Sequence, residues 1–185
     1  MKSYKKLIVA IYQNEKTADH EFSVLSKKEK QDELDLKAYT VVSKSESGKT
    51  TIHDTEGRDA FWGAVVGGLV GMLIGPVGAI YGAALFAAEV FAGSVAAGLG
   101  VGALAGWVNS DALKIPNDLL TDIKKSLKPG SSAIVAVVEE DWVEEVEAVL
   151  EPQSEMLHHY QFTDSVVEKF EKDWEIFEKE QKVVS

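Results

Sequence analysis

From Arg58 to Lys114 no basic residue intervenes, and glycine recurs along that stretch in steps of three and four. Gly63, Gly67, Gly71 and Gly75 form one series, Gly78 and Gly82 a second, and Gly98, Gly102 and Gly106 a third. A four-residue step returns to nearly the same face of a helix of about 3.6 residues per turn, so each series draws a smooth groove. Glycine inside a helix costs about 1 kcal/mol relative to alanine. Its repetition in register makes sense where another backbone comes close, as in GxxxG helix pairing. These glycines are read as helix-packing residues.

The rest of the chain sets the context for that device. At 185 residues it holds one or two domains. Its net charge of −11 argues against a general nucleic-acid binder, and half of its acids lie between Glu139 and Glu180. There is no cysteine, which removes disulfides, thiolate metal sites and cysteine nucleophiles. Met1 to Lys6 begins like a signal peptide, but the apolar run Leu7 to Tyr12 is short and meets Gln13-Asn14-Glu15 without a small-residue cleavage site. A first strand of a cytoplasmic protein is the expectation.

Leu7 to Tyr12 is an apolar, β-branched run suited to a buried strand. Asn14 is placed to cap a helix with Ala18, Phe22 and Leu25 on one face. Leu34, Leu36, Ala38, Thr40 and Val42 alternate with more polar positions, a strand period, and Ser45 to Lys49 turns the chain back into Thr50 to Thr55. Beyond the glycine-rich stretch, Pro116-Asn117 opens a helix that Lys128-Pro129-Gly130 ends. Ala133 to Val138 reads as a second buried strand, Trp142 to Leu150 as an amphipathic helix, and Met156 to Phe162 as a last strand. Ser165 and Glu168 have capping-box spacing. Val166, Val167, Phe170, Trp174 and Phe177 then stripe an otherwise charged helix. That stripe either packs on the chain's own sheet or anchors a neighbouring subunit through Phe170, Trp174 and Phe177.

The halves on either side of the glycine-rich stretch echo each other as strand–helix–strand units. This predicts an α+β fold, a ferredoxin-like antiparallel sheet with helices on one face. Residues 1–57 form its first half and 114–162 its second. A glycine-zipper helical insertion, 58–113, interrupts it, and a C-terminal amphipathic helix, 163–185, follows.

This order of pieces resembles the domain of unknown function 1269 family of bacteria and archaea. The features that carry the resemblance are the Gly48-Lys49 turn, the zipper with its Gly75-Pro76 break, and the strand entry Leu127-Lys128-Pro129-Gly130-Ser131-Ser132-Ala133. The likeness spans roughly residues 5 to 162. It implies membrane association and carries over no catalytic residue.

Ala60 to Ala88 and Val90 to Ser110 are uncharged and separated by Glu89. A spanning helix needs about 20 apolar residues, so a hairpin crossing fits by length. Pro76 cuts the first run after about 16 residues, roughly 24 Å of helix, and a carboxylate at Glu89 is costly in lipid. The expected function is therefore a non-enzymatic, self-assembling protein. Its glycine faces pack against copies of itself, inserted in or associated with a membrane, with the α+β domain on the cytoplasmic face. A soluble homo-oligomeric ring, cage or shell with the zipper buried is the alternative. A ferredoxin-like small-molecule enzyme or sensor is the third.

No catalytic, cofactor or metal site is expected. Ser47-Gly48-Lys49-Thr50-Thr51 ends like a P-loop but has Ser43 where the first glycine belongs, and it lies in a hairpin. Gly98-Leu99-Gly100-Val101-Gly102 follows no strand. His158 and His159 point to opposite faces of a strand, His53-Asp54 is half a site at most, and the acids from Glu139 to Glu145 suit a helix N-terminus.

Overall fold

The computed structural model describes residues 4–56, 60–74 and 113–184. In chain order these form β1 (Lys5–Tyr12), α1 (Thr17–Lys30), β2 (Leu36–Lys44), β3 (Thr50–Glu56) and α2 (Ala60–Ile74). There follow α3 (Asn117–Ser126), β4 (Ser132–Glu139), α4 (Val143–Leu150), β5 (Met156–Gln161) and α5 (Asp164–Val184). The strands make one antiparallel sheet in the order β3-β2-β4-β1-β5. β1–α1–β2 and β4–α4–β5 therefore interleave, with β4 between β2 and β1. That is the split arrangement expected from the echo between the two halves, and β3 adds a hairpin strand at one edge.

The crossover helices α1 and α4 lie together on one face. There Phe22, Leu25, Val146 and Leu150 pack on Ile8, Ala10, Tyr12, Tyr39, Val41, Ile134, Ala136 and Val138. Helices on one face only were expected, but the opposite face is covered as well, because the insertion's first helix and the C-terminal helix carry apolar sides that fold back on it. Leu7, Val9, Ile11, Val135 and Val137 meet Phe61, Trp62, Val65, Val66 and Leu69 of α2, Leu120 and Ile123 of α3, and Val166, Phe170 and Trp174 of α5. The sheet is thus the middle of three layers. Its central strands show unbroken apolar runs because both of their faces are buried.

β2 departs from the even alternation read in its sequence. Its register against β4 slips between Leu36 and Ala38, a β-bulge at Lys37. The extra residue reverses the parity, so Leu34 and Leu36 join the α1 face while Ala38 and Val42 join the other.

Two glycines do what the turns require. Gly48 has φ +84° in the β2–β3 turn and Gly130 has φ +81° before β4, a region that costs other residues about 1 kcal/mol or more. The Gly130 amide donates to the Lys44 carbonyl (2.7 Å) and the Lys44 amide to the Ser131 carbonyl (2.8 Å), which ties the α3–β4 turn to the end of β2.

Two caps differ from expectation. The Asn14 side chain accepts from the Lys16 amide (2.9 Å), closing the turn before α1 rather than capping the helix itself. At α5 the Thr163 carbonyl receives the Val166 and Val167 amides (3.0 and 3.1 Å), and its hydroxyl meets that of Ser165 (3.1 Å). The helix is entered two residues earlier than a Ser165 cap would place it.

Candidate functional site

The glycine-rich insertion enters through α2 and returns at Leu113, and both stems are fastened to the same sheet face. On α2 the large side chains of Phe61, Trp62, Val65, Val66 and Leu69 gather on the side that meets the core. At about 100° per residue, Gly63, Gly67 and Gly71 fall on the opposite side. Every residue from Phe61 to Gly71 is buried in the single chain. A helix apolar all round and buried all round is an interior helix, and its glycine side admits the closest backbone approach.

Aromatic side chains link the two stems. Trp62 packs on Phe162 with ring centroids 5.4 Å apart, and Phe162 meets Tyr160 edge-on at 5.3 Å. The Tyr160 hydroxyl donates its one proton to the Lys114 carbonyl (2.7 Å), with the Leu113 carbonyl at 3.2 Å as the weaker branch. Lys114 is exposed with φ +56°, between the buried Leu113 and Ile115. A lysine in the left-handed region is uncommon, and here two buried plugs and a tyrosine hydroxyl hold it. Burial raises the Tyr160 hydroxyl pKa above its ordinary value, so it remains a donor.

Phe170 and Trp174, for which the sequence left open the chain's own sheet or a neighbouring subunit, lie in the chain's own core. They are 3% and 9% exposed, with centroids 6.3 and 6.1 Å from the Phe61 ring. The sheet face left open by α1 and α4 has room for the stripe, so the first half of α5 folds back on it. Phe177 lies further along α5, where only the backbone is described. Gly75, Gly78, Gly82, Gly98, Gly102 and Gly106 lie outside the described residues, as do Pro76 and Glu89.

The structure also assembles a polar group from distant positions. Ser43 Oγ on β2 lies 2.5 Å from His53 Nε2 on β3, and His53 Nδ1 lies 3.6 Å from Asp19 Oδ1 on α1. His53 thus pairs with Ser43 and Asp19, the order of a nucleophile, a base and an orienting acid. Access decides its chemistry. Ser43 is 1% exposed, paired with Thr51 on one side and Ser132 on the other, so no acyl carbon can approach its hydroxyl. Beside it Ser132 Oγ donates to the Asn14 carbonyl (2.6 Å) and accepts from the Ala18 amide (3.1 Å). The cluster pins the start of α1 to the end of the sheet. Sequence offered little signal for it, because its three residues come from three separate elements.

His158 and His159 face opposite sides of β5, in register with Val9 and Ile8. His159 Nδ1 lies 3.1 Å from Glu147 Oε1. Burial holds His158 below the ordinary imidazole range, against the charge of Asp122 and helped by His159. Among the described residues no cluster of three or more His, Asp or Glu is placed to hold a metal ion, and no helix is long and apolar enough to cross a membrane.

Fold and stems define an α+β domain, ferredoxin-like in strand order, that carries the glycine-faced helix α2 on its second sheet face. The sequence profile of the family "Protein of unknown function (DUF1269)" matches residues 60–173, more than half of the chain, and the protein belongs to that family. The match begins at α2 and runs into α5, so it takes in Val166 and Phe170 beyond the span of the resemblance and leaves out residues 5–59 with the Gly48-Lys49 turn. No curated protein and no solved structure matches the chain.

Proposed function

We propose that this is a non-enzymatic, self-assembling protein whose glycine-faced helices pack against copies of the same chain in association with a membrane. The α+β domain holds the helical insertion at its base. The observation that supports the reading is the two-sidedness of α2, with Phe61, Trp62, Val65, Val66 and Leu69 toward the sheet and Gly63, Gly67 and Gly71 opposite. Those glycines are buried within the single chain, so pairing between copies exchanges that cover for a partner helix. Such a face gives up side-chain contact for backbone contact and weak Cα–H···O bonds. The two stems return to one sheet face, which suits a hairpin that leaves and re-enters on the same side of a bilayer. Since α2 is bound to the sheet, lipid contact would fall to the uncharged residues after Pro76. The burial of α2 favours a second reading, a soluble ring, cage or shell with the zipper inside.

Fractionation followed by light scattering tests both readings. The membrane reading expects the protein in the membrane pellet after carbonate extraction, released by detergent as an oligomer. The soluble reading expects an oligomer of the same kind in the supernatant. Gly67→Leu and Gly71→Leu should dissociate or misassemble either particle. A wild-type chain that is monomeric in both fractions would overturn the proposal. Retention of the wild-type mass and partition by both variants would remove the glycine face from the interface.

A further inference from the structure

We infer that the outer edge of β5 is a second self-association surface, on which a second copy of this chain adds its own β5 antiparallel about a two-fold axis at His159. The surface is distinct from the glycine face and does not depend on it.

The backbone sets the register. The Phe162 amide donates to the Lys5 carbonyl (3.0 Å) and the Glu140 amide to the Tyr4 carbonyl (2.9 Å). Ladder alternation then directs the odd-numbered residues of β1 toward β5 and the even-numbered ones toward β4. On β5 the amides and carbonyls of His158 and Tyr160 turn inward to β1, while those of Leu157, His159 and Gln161 turn outward. β5 is the last strand of the sheet, and no backbone bond to its outer edge is present among the described residues.

Three outward residues spaced by two are self-complementary. With His159 opposite His159 of a second copy, Leu157 falls opposite Gln161 and all outward groups of both strands are satisfied. Shifting the centre by two residues toward either end leaves some of them unpaired.

The two edges of the sheet differ in a way that favours this one. Natural edge strands are guarded by charge, proline or a bulge. β3 contains Asp54 and Glu56, and its ladder with β2 is irregular between Thr40 and Val42. β5, Met-Leu-His-His-Tyr-Gln, has no acid, lysine, arginine or proline, and its six pairs with β1 run without a shift. Charge permits the pairing although the chain carries −11. In this register Glu155 faces Thr163 and Asp164 faces Ser154, so no two acids of the strand and its flanks are directly opposed. The opposed His159 rings each bring a carboxylate, Glu147 at 3.1 Å.

The chain has no cysteine, which makes a register test direct. Directly opposed residues of a hydrogen-bonded antiparallel pair lie about 5.5 Å apart between Cα atoms, within disulfide range. Full-length His159→Cys, oxidised with diamide, should give a disulfide-linked dimer much faster than Ser23→Cys on the exposed surface of α1. Adding Gln161→Pro deletes one outward amide per chain without touching the ladder to β1, and should slow the cross-link about tenfold. Leu157→Pro should do the same if Gln161→Pro perturbs the circular-dichroism spectrum. Cross-linking should survive Gly67→Leu, which separates this surface from the glycine face. Equal rates for His159→Cys and Ser23→Cys, or no response to either proline in a folded chain, would overturn the inference.

Discussion

The Tyr160 hydroxyl lies 2.7 Å from the carbonyl oxygen of Lys114, a residue held at φ +56°. This hydrogen bond fixes the point at which the chain returns from the insertion to the sheet. Tyr160→Phe should cost about 1–2 kcal/mol in denaturant unfolding, because it leaves the Lys114 carbonyl without that donor. Lys114→Gly should be neutral or stabilising by up to about 1 kcal/mol, since glycine adopts this conformation freely. A large loss in Lys114→Gly would place the importance of this position in its side chain.

The Ser43–His53–Asp19 group is predicted to be inert as a catalyst. A fluorophosphonate probe should leave Ser43 unlabelled in the folded protein, as judged by peptide mass spectrometry. Ser43→Ala should lower stability by about 1 kcal/mol through loss of the bond to His53. Labelling of Ser43 that His53→Ala abolishes would defeat the non-enzymatic reading.

Glu139 sits between Lys5 (2.7 Å) and Lys37 (3.1 Å) at the end of the sheet. The hydrogen bond from Lys5 holds its carboxyl below the ordinary value near 4.5; burial opposes this, and Lys37 adds to it. A depressed folded pKa stabilises the fold above the ordinary value, and that contribution is lost as pH falls through the folded pKa. Glu139→Gln should therefore cost about 1 kcal/mol at neutral pH. The difference from wild type should begin to close near pH 4.5 and vanish below the depressed value. A gap that stays constant down to pH 2 in parallel denaturant titrations would remove this pair of ion contacts from the explanation.

Gly67→Ala separates propensity from packing by the sign of its effect. Alanine raises helix propensity by about 1 kcal/mol, so an unpacked glycine face would make the variant more stable. A face in backbone contact has no room for the added methyl, and the variant should lose stability or oligomer mass instead. Leu73→Met, nearly volume-conserving at a partly buried position, is the control and should cost less than about 1.5 kcal/mol.

Much of the sheet was legible in residues whose local chemistry and tertiary role agree. Leu7 to Tyr12 and Ala133 to Val138 could be little other than buried strands, and the Gly48 and Gly130 turns were marked by glycine. The covering of both sheet faces was missed, because the repeated strand–helix–strand pattern was read as helices on one face, although the unbroken apolar runs carried the signal. A sheet buried on one side alternates, and these strands do not. Phe61 and Trp62 were hidden because they open a long apolar segment, in which residues that meet the sheet look like those that do not. The bulge at Lys37 left no distinct mark in an alternating sequence. Tyr160 with Lys114, and Ser43 with His53 and Asp19, are products of topology, and no local pattern announces a hydrogen bond between residues 46 positions apart.

Because Trp62, Phe162, Tyr160 and Leu113 fasten both stems to one patch, the ends of the insertion are held together by the domain itself. Once two points of a chain are held together, doubling the number of residues between them adds only about 0.6 kcal/mol of closure entropy. The sheet is in that sense indifferent to how many residues lie between its two points of attachment. Helices could be gained or lost there over evolutionary time, or exchanged by design, while the domain that carries them kept its fold.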